Sequence, residues 1–159
     1  MSKIAPCLWF NGEAEEAANF YVSLLPNSKI DTVQKNTVDS PGGKAGSVLV
    51  VTFTLAGQSF MALNGGMRFD YTQAVSFKID CEDQAEVDRL WAMLTADGGQ
   101  AIRCGWLKDR YGVYWQIVPT ALPTYLGGEN REGAARAMQA MLGMIKLDIA
   151  ALRRAYEGN

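Results

Sequence analysis

The chain has 159 residues, 48% hydrophobic and 20% charged, with a net charge of −2. Those values describe one ordinary globular domain with no electrostatic footprint for nucleic acid or an anionic membrane. No apolar run approaches the ~20 residues that span a bilayer, and the N-terminus lacks a signal-peptide pattern, so a cytoplasmic protein is expected.

Histidine is absent. The commonest general base and the commonest ligand for zinc and iron are therefore missing, and Ser-His-Asp or Cys-His catalysis is excluded. Cys7, Cys81 and Cys104 are an odd number at no metal-binding spacing, which reads as reduced thiols.

Residues 3–10 read as a strand, with Pro6 marking an edge or a bulge. After Asn11-Gly12, residues 13–25 carry Ala14, Ala17, Ala18, Tyr21, Leu24 and Leu25 at helical spacing. Glu13, Glu15 and Glu16 suit the positive end of the helix dipole, and Pro26 stops it. Residues 28–33 are a short strand, and residues 35–46, with Pro41-Gly42-Gly43, are expected to be a mobile loop. Residues 47–55 and 59–64 form a hairpin that Gly65-Gly66 ends. Residues 67–73 are a linker.

Residues 74–80 are again a strand and residues 82–94 again a helix, with Val87, Leu90, Trp91 and Leu94 on one face. Residues 100–104 lead into a hairpin whose second strand, 113–118, is rich in β-branched and aromatic residues. Asp109-Arg110-Tyr111-Gly112 supplies its turn. Along that strand Val113, Trp115 and Ile117 point one way and Tyr114 and Gln116 the other. Strand, helix, strands has then occurred twice at an offset near 70. That spacing superposes Glu16 on Glu86, Phe20 on Leu90 and Leu24 on Leu94. Two βαβββ units account for this most simply, the alternative being chance agreement between two amphipathic helices. The expected class is α+β, with residues 3–64 and 74–119 as two modules of one domain.

Beyond Pro119, residues 121–128 read as a helical turn, and residues 129–142 and 145–156 as amphipathic helices that form a lid or packing element. The series Met138, Met141 and Met144 reads as core packing in preference to a plastic binding surface.

Several motifs, Ile4-Ala5-Pro6-Cys7-Leu8-Trp9-Phe10, Ala14-Glu15-Glu16-Ala17-Ala18-Asn19-Phe20-Tyr21, Ala62-Leu63-Asn64-Gly65-Gly66 and the run from Cys104 to Gly112, resemble the PhnB-like branch of the vicinal oxygen chelate superfamily. That superfamily also holds glyoxalase I and bleomycin-resistance proteins, and some of the branch are labelled 3-demethylubiquinone-9 3-methyltransferase-like. The resemblance implies paired βαβββ modules curled into an open barrel, and a homodimer. It also implies four metal-ligand positions, which fall on Pro6, on Ala62 or Asn64, on Ala74 and on Gln116. Only Asn64 and Gln116 offer a side-chain oxygen, and both are neutral, so no metal is expected.

Strand alternation independently puts Val75, Phe77 and Ile79 on an apolar face, with Ser76 and Lys78 opposite. With Phe60, Asn64, Cys104, Trp106, Tyr114 and Gln116 they form the expected lining for a small molecule with a polar or anionic end. The alternative is the solvated face of an open sheet. Cys104 reads as an inert thiol in preference to a nucleophile. Gly65-Gly66, Gly98-Gly99 and Gly127-Gly128 lack the strand-to-helix context of a nucleotide-cofactor turn, so no cofactor is expected. A metal-free small-molecule-binding module is the leading expectation, with a metal-independent enzyme as the alternative.

Overall fold

The computed structural model describes residues 2–159. It divides into two compact units, the first reaching Asp70 and the second starting at Tyr71. The first unit runs β1 (Cys7–Phe10), α1 (Ala14–Val22), β2 (Lys29–Lys35), β3 (Val48–Leu55), β4 (Gln58–Asn64). The second runs β5 (Phe77–Cys81), α2 (Gln84–Thr95), β6 (Gln100–Ala101), β7 (Trp106–Lys108), β8 (Tyr114–Pro119). Three helices follow it, α3 (Leu122–Leu126), α4 (Arg131–Leu142) and α5 (Ile149–Glu157).

Each unit forms a four-stranded sheet of the same order, β1-β4-β3-β2 and β5-β8-β7-β6. In each, the first strand lies parallel to the last and the rest are antiparallel. The duplication expected from the 70-residue offset is therefore present: β1 and β5 start 70 residues apart, as do α1 and α2. Pro6 precedes an edge strand, where the hydrogen that proline lacks is not needed for pairing.

Each helix covers one face of its own sheet. Ala14, Ala17, Ala18 and Tyr21 of α1 are fully buried, and the small alanines let the helix lie close over the strands. Tyr21, Phe53 and Phe60 form a stacked run with centroids 6.2 and 5.3 Å apart. In the second unit Val87, Leu90 and Leu94 of α2 are buried, as are Trp115 and Ile117 of β8.

The loop expected to be mobile is closed by hydrogen bonds. Buried Asn36 donates from Nδ2 to the Ser47 carbonyl and Oγ at 3.3 and 3.1 Å, and Ser40 Oγ donates to Asn36 Oδ1 at 2.6 Å. Asp39 accepts from the Ala45 N–H at 2.9 Å and pairs with Lys44, and these bonds hold its carboxyl below the usual range. Glycine and proline there mark tight turns rather than looseness.

Several boundaries shift: β1 starts at Cys7 and α1 ends at Val22, inside the expected ranges, and two further shifts have a visible cause. β5 begins at Phe77, because residues 72–75 form a turn in which Ala74 N–H donates to Thr72 Oγ1. Val75 is consequently 69% exposed and lies on no apolar face. The last helix begins four residues later than expected, at Ile149, because Asp148 caps it by accepting from the Ala151 N–H at 2.9 Å. Residues 143–148 are non-helical; the Ile145–Ile149 spacing imitates a helical repeat across the cap. The methionine series also divides: Met141 and Met144 pack against the small core of Tyr125, Ala137 and Leu152, while Met138 is 45% exposed.

Candidate ligand-binding face

The side of the second sheet away from α2 presents the even-numbered residues of β5, β7 and β8. Lys78 of β5 lies opposite Gln116 of β8, which lies opposite Trp106 of β7. Three residues expected at the site thus form one row across three strands. A second row places Tyr114 beside Lys108 and Lys108 beside Gln100. Trp106, Lys108, Tyr114 and Gln116 are half-buried and Lys78 is exposed. Ser76, just before β5, accepts from Gln116 Nε2 at 2.9 Å, which orients the carboxamide.

Lys108 and Asp80 complete this face and were not among the expected lining residues. Their signal was the two-residue spacing from Trp106 and from Lys78. Asp80 pairs with Lys78 across the strand surface, both side chains about half exposed. Such an exposed pair is worth roughly 0–1 kcal/mol, so a bound anion can compete for the ammonium group.

The face rests on a rigid support. Buried Asp109 accepts from the Tyr111 and Val113 N–H groups at 2.8 and 3.0 Å through Oδ1, and from Trp115 Nε1 at 2.8 Å through Oδ2. One carboxylate thereby ties the β7–β8 turn to the indole beneath the sheet. The sequence showed Asp109 as a turn residue only; the bond to Trp115 needs the folded hairpin.

Three expected lining residues lie elsewhere. Phe60 and Asn64 alternate in register with the buried, helix-facing side of β4. Phe60 stacks on Phe53 in the core. Asn64 Oδ1 accepts from the Gly12 and Ala14 N–H groups at 2.9 and 3.0 Å, and Nδ2 donates to the Val48 carbonyl at 3.0 Å. Asn64 therefore caps α1, whose own N-cap, Glu13, makes no side-chain capping bond. Cys104 sits in the β6–β7 turn at φ 55°, and its thiol donates to the Met141 carbonyl at 3.5 Å, away from the sheet. Cys81 is fully buried, and burial, followed by the charges of Glu86 and Asp80, pushes its thiol up to about 12. It is inert.

The ligand positions implied by the superfamily do not fit a divalent ion. Pro6 and Ala74 have no side-chain donor, Ala62 is buried on the α1 side, and Asn64 Oδ1 already accepts two N–H groups. Among the described residues no group of three or more His, Cys, Asp or Glu side chains could hold a metal. Neutral amides alone do not offset the dehydration of such an ion.

The second unit's sheet and the first unit's sheet belong to a known fold. The family model described as 3-demethylubiquinone-9 3-methyltransferase matches residues 2–118. Among solved structures, the PhnB protein from Bacillus cereus is 37% identical with a TM-score of 0.68, over 75% of this chain and 100% of that one. Protein PA1353 from Pseudomonas aeruginosa is 22% identical at a TM-score of 0.56, over 75% and 98%. A fosfomycin resistance protein from Listeria monocytogenes, solved with Mn(II) and sulfate, shares the fold at 12% identity and a TM-score of 0.52, over 79% and 95%. No curated protein matches.

The family's description implies a methyl-donor cofactor, and in each glycine pair at least one member is packed against the chain itself. A Cβ on Gly65 would overlap the Trp9 ring, one on Gly66 the Pro41 carbonyl, and one on Gly99 the Leu94 carbonyl. On Gly128 it would overlap the Tyr156 hydroxyl. None opens a helix N-terminus to a nucleotide, and neither sheet has the open parallel order such cofactors use. The residues present do not fit that group. The duplicated βαβββ topology, the match over residues 2–118 and the identity to the Bacillus cereus protein along its whole length show that the chain belongs to the 3-demethylubiquinone-9 3-methyltransferase (PhnB-like) family.

Proposed function

We propose that this protein binds a small organic molecule, without a metal ion, on the open face of its second sheet. The observation that carries the reading is the row Lys78–Gln116–Trp106, flanked by Tyr114 and Lys108. Two aromatic rings offer a stacking surface, an oriented carboxamide offers a polar contact, and two ammonium groups outnumber the one carboxylate of Asp80. That combination suits a flat, conjugated molecule carrying a carboxylate or a similar anion. Nothing comparable favours catalysis: the Cys104 thiol is turned to a backbone carbonyl and the Lys78 amine to Asp80. The free cysteines accord with a protein of the reducing cytoplasm. Family membership points to a homodimer, for which light scattering should return twice the chain mass.

A panel of aromatic carboxylates and their methyl esters, titrated by calorimetry, tests the binding. The acids should bind and the esters should lose about tenfold in affinity. Gln116→Leu and Tyr114→Ala should each weaken the best acid by about tenfold while the fold persists. Unchanged affinity in both variants would place the site elsewhere and sink the proposal.

A further inference from the structure

The two sheets share a strand order but differ at one edge. In the first unit the outer strands β2 and β3 have 7 and 8 residues, whereas their counterparts β6 and β7 have 2 and 3. Strands that short hold few ladder bonds. The turn that joins them is bonded instead to the linker between α4 and α5, which lies beyond residue 118, where the family match ends. Cys104 N–H donates to the Met144 carbonyl at 2.9 Å and Gly105 N–H to the Ile145 carbonyl at 2.8 Å. On the other side, Ile117 N–H donates to the Gly105 carbonyl at 2.8 Å. The turn before Trp106 is thus held between β8 and the non-helical segment 143–148.

The fit is close. Gly105 takes φ 84°, and a Cβ there would lie 2.9 Å from the Ile117 carbonyl and 3.0 Å from Leu147 Cδ1. Leu147 is 1% exposed. The segment is fastened at its far end to α2. Gln84 Nε2 donates to the Leu147 carbonyl at 3.0 Å, Gln84 Oε1 accepts from the Ile149 N–H at 2.9 Å, and Lys146 pairs with Asp88 at 2.8 Å. Cys104, a non-glycine residue at φ 55°, keeps a left-handed backbone because bonds on both sides fix it.

We infer that the segment 144–149 is a clamp that sets the position of Trp106 on the ligand-binding face, with Leu147 and Gln84 as positioning residues. This rests on the binding reading above for its purpose, though not for its geometry. Without the clamp, a three-residue strand would have to present Trp106 with two N–H groups of its turn left unpaired. The C-terminal helices then serve the site and do more than add a second small core.

Fluorine NMR of protein labelled with 5-fluorotryptophan tests this directly, because the chain has only Trp9, Trp91, Trp106 and Trp115. The Trp106 line is assigned with Trp106→Phe. In Leu147→Ala, and more mildly in Gln84→Ala, the Trp106 line should shift, and its broadening by a soluble nitroxide should rise about twofold or more. The Trp9 and Trp115 lines should stay in place. An unmoved Trp106 in a folded variant overturns the inference, and so does a common change at Trp9, Trp106 and Trp115, which would mean general destabilisation. If Leu147→Ala does not fold, Gln84→Ala decides. No ligand enters the measurement, so its failure is separate from failure of the Gln116→Leu binding test.

Discussion

Two side chains show how single polar groups hold this fold. Asn64 satisfies two N–H groups at the start of α1 and one carbonyl in β3. Asn64→Ala leaves all three without that partner, the Ala14 N–H in a buried site, and should cost about 2–3 kcal/mol, lowering the melting temperature by about 4–12 °C. Asp109→Asn is a sharper test, since it conserves shape. The amide keeps one oxygen for the turn but sets an NH2 group against Trp115 Nε1–H, so urea unfolding should show a loss of about 1–3 kcal/mol. Thiol chemistry separates the cysteines at the same scale. At pH 8 Cys81 should remain unmodified by a disulfide reagent until the protein is unfolded, because its thiol is pushed up to about 12 in a buried site. Exposed Cys7 should be modified in the native state.

At the scale of elements, the pattern of each strand decided what could be read. In β8 the alternation is unambiguous, with Trp115 and Ile117 buried and Tyr114 and Gln116 half-open, so the face on which each residue lies was legible. β4 is different. Phe60, Met61, Ala62 and Leu63 are apolar on both faces, so period two gives two faces without saying which meets a helix. Phe60 and Asn64 were misplaced for that reason. The attachment of the C-terminal helices carries its own pH signature. Bonds from Lys146 and Gln84 hold the Asp88 carboxyl below its ordinary range. A lowered value in the folded state means that the stabilisation is complete above the unfolded value of about 3.9 and is lost as pH falls through the folded one. The stability difference between the native protein and Asp88→Asn should therefore be constant above about pH 5 and disappear towards about pH 2, as followed by thermal melts across that range.

For the whole molecule, the positions that the resemblance assigns to metal ligands carry groups unable to coordinate. Adding EDTA, zinc, nickel or manganese should thus move the melting temperature by less than about 1 °C, since a ligand stabilises only the state that binds it. A clear rise with any of those ions would contradict the metal-free reading. No helix among the described residues is long and apolar enough to cross a membrane.

The sequence by itself determined the duplication, the order of strands and helices and the lack of histidine chemistry. All of these follow from local periodicity or from which residue types are present at all. Only the tertiary structure decided that Asn64 caps α1, that Asp109 reaches Trp115, and that Cys104 and Gly105 pair with Met144 and Ile145. Those bonds join positions whose proximity depends on how strands, turns and helices pack, and no spacing along the chain encodes that proximity.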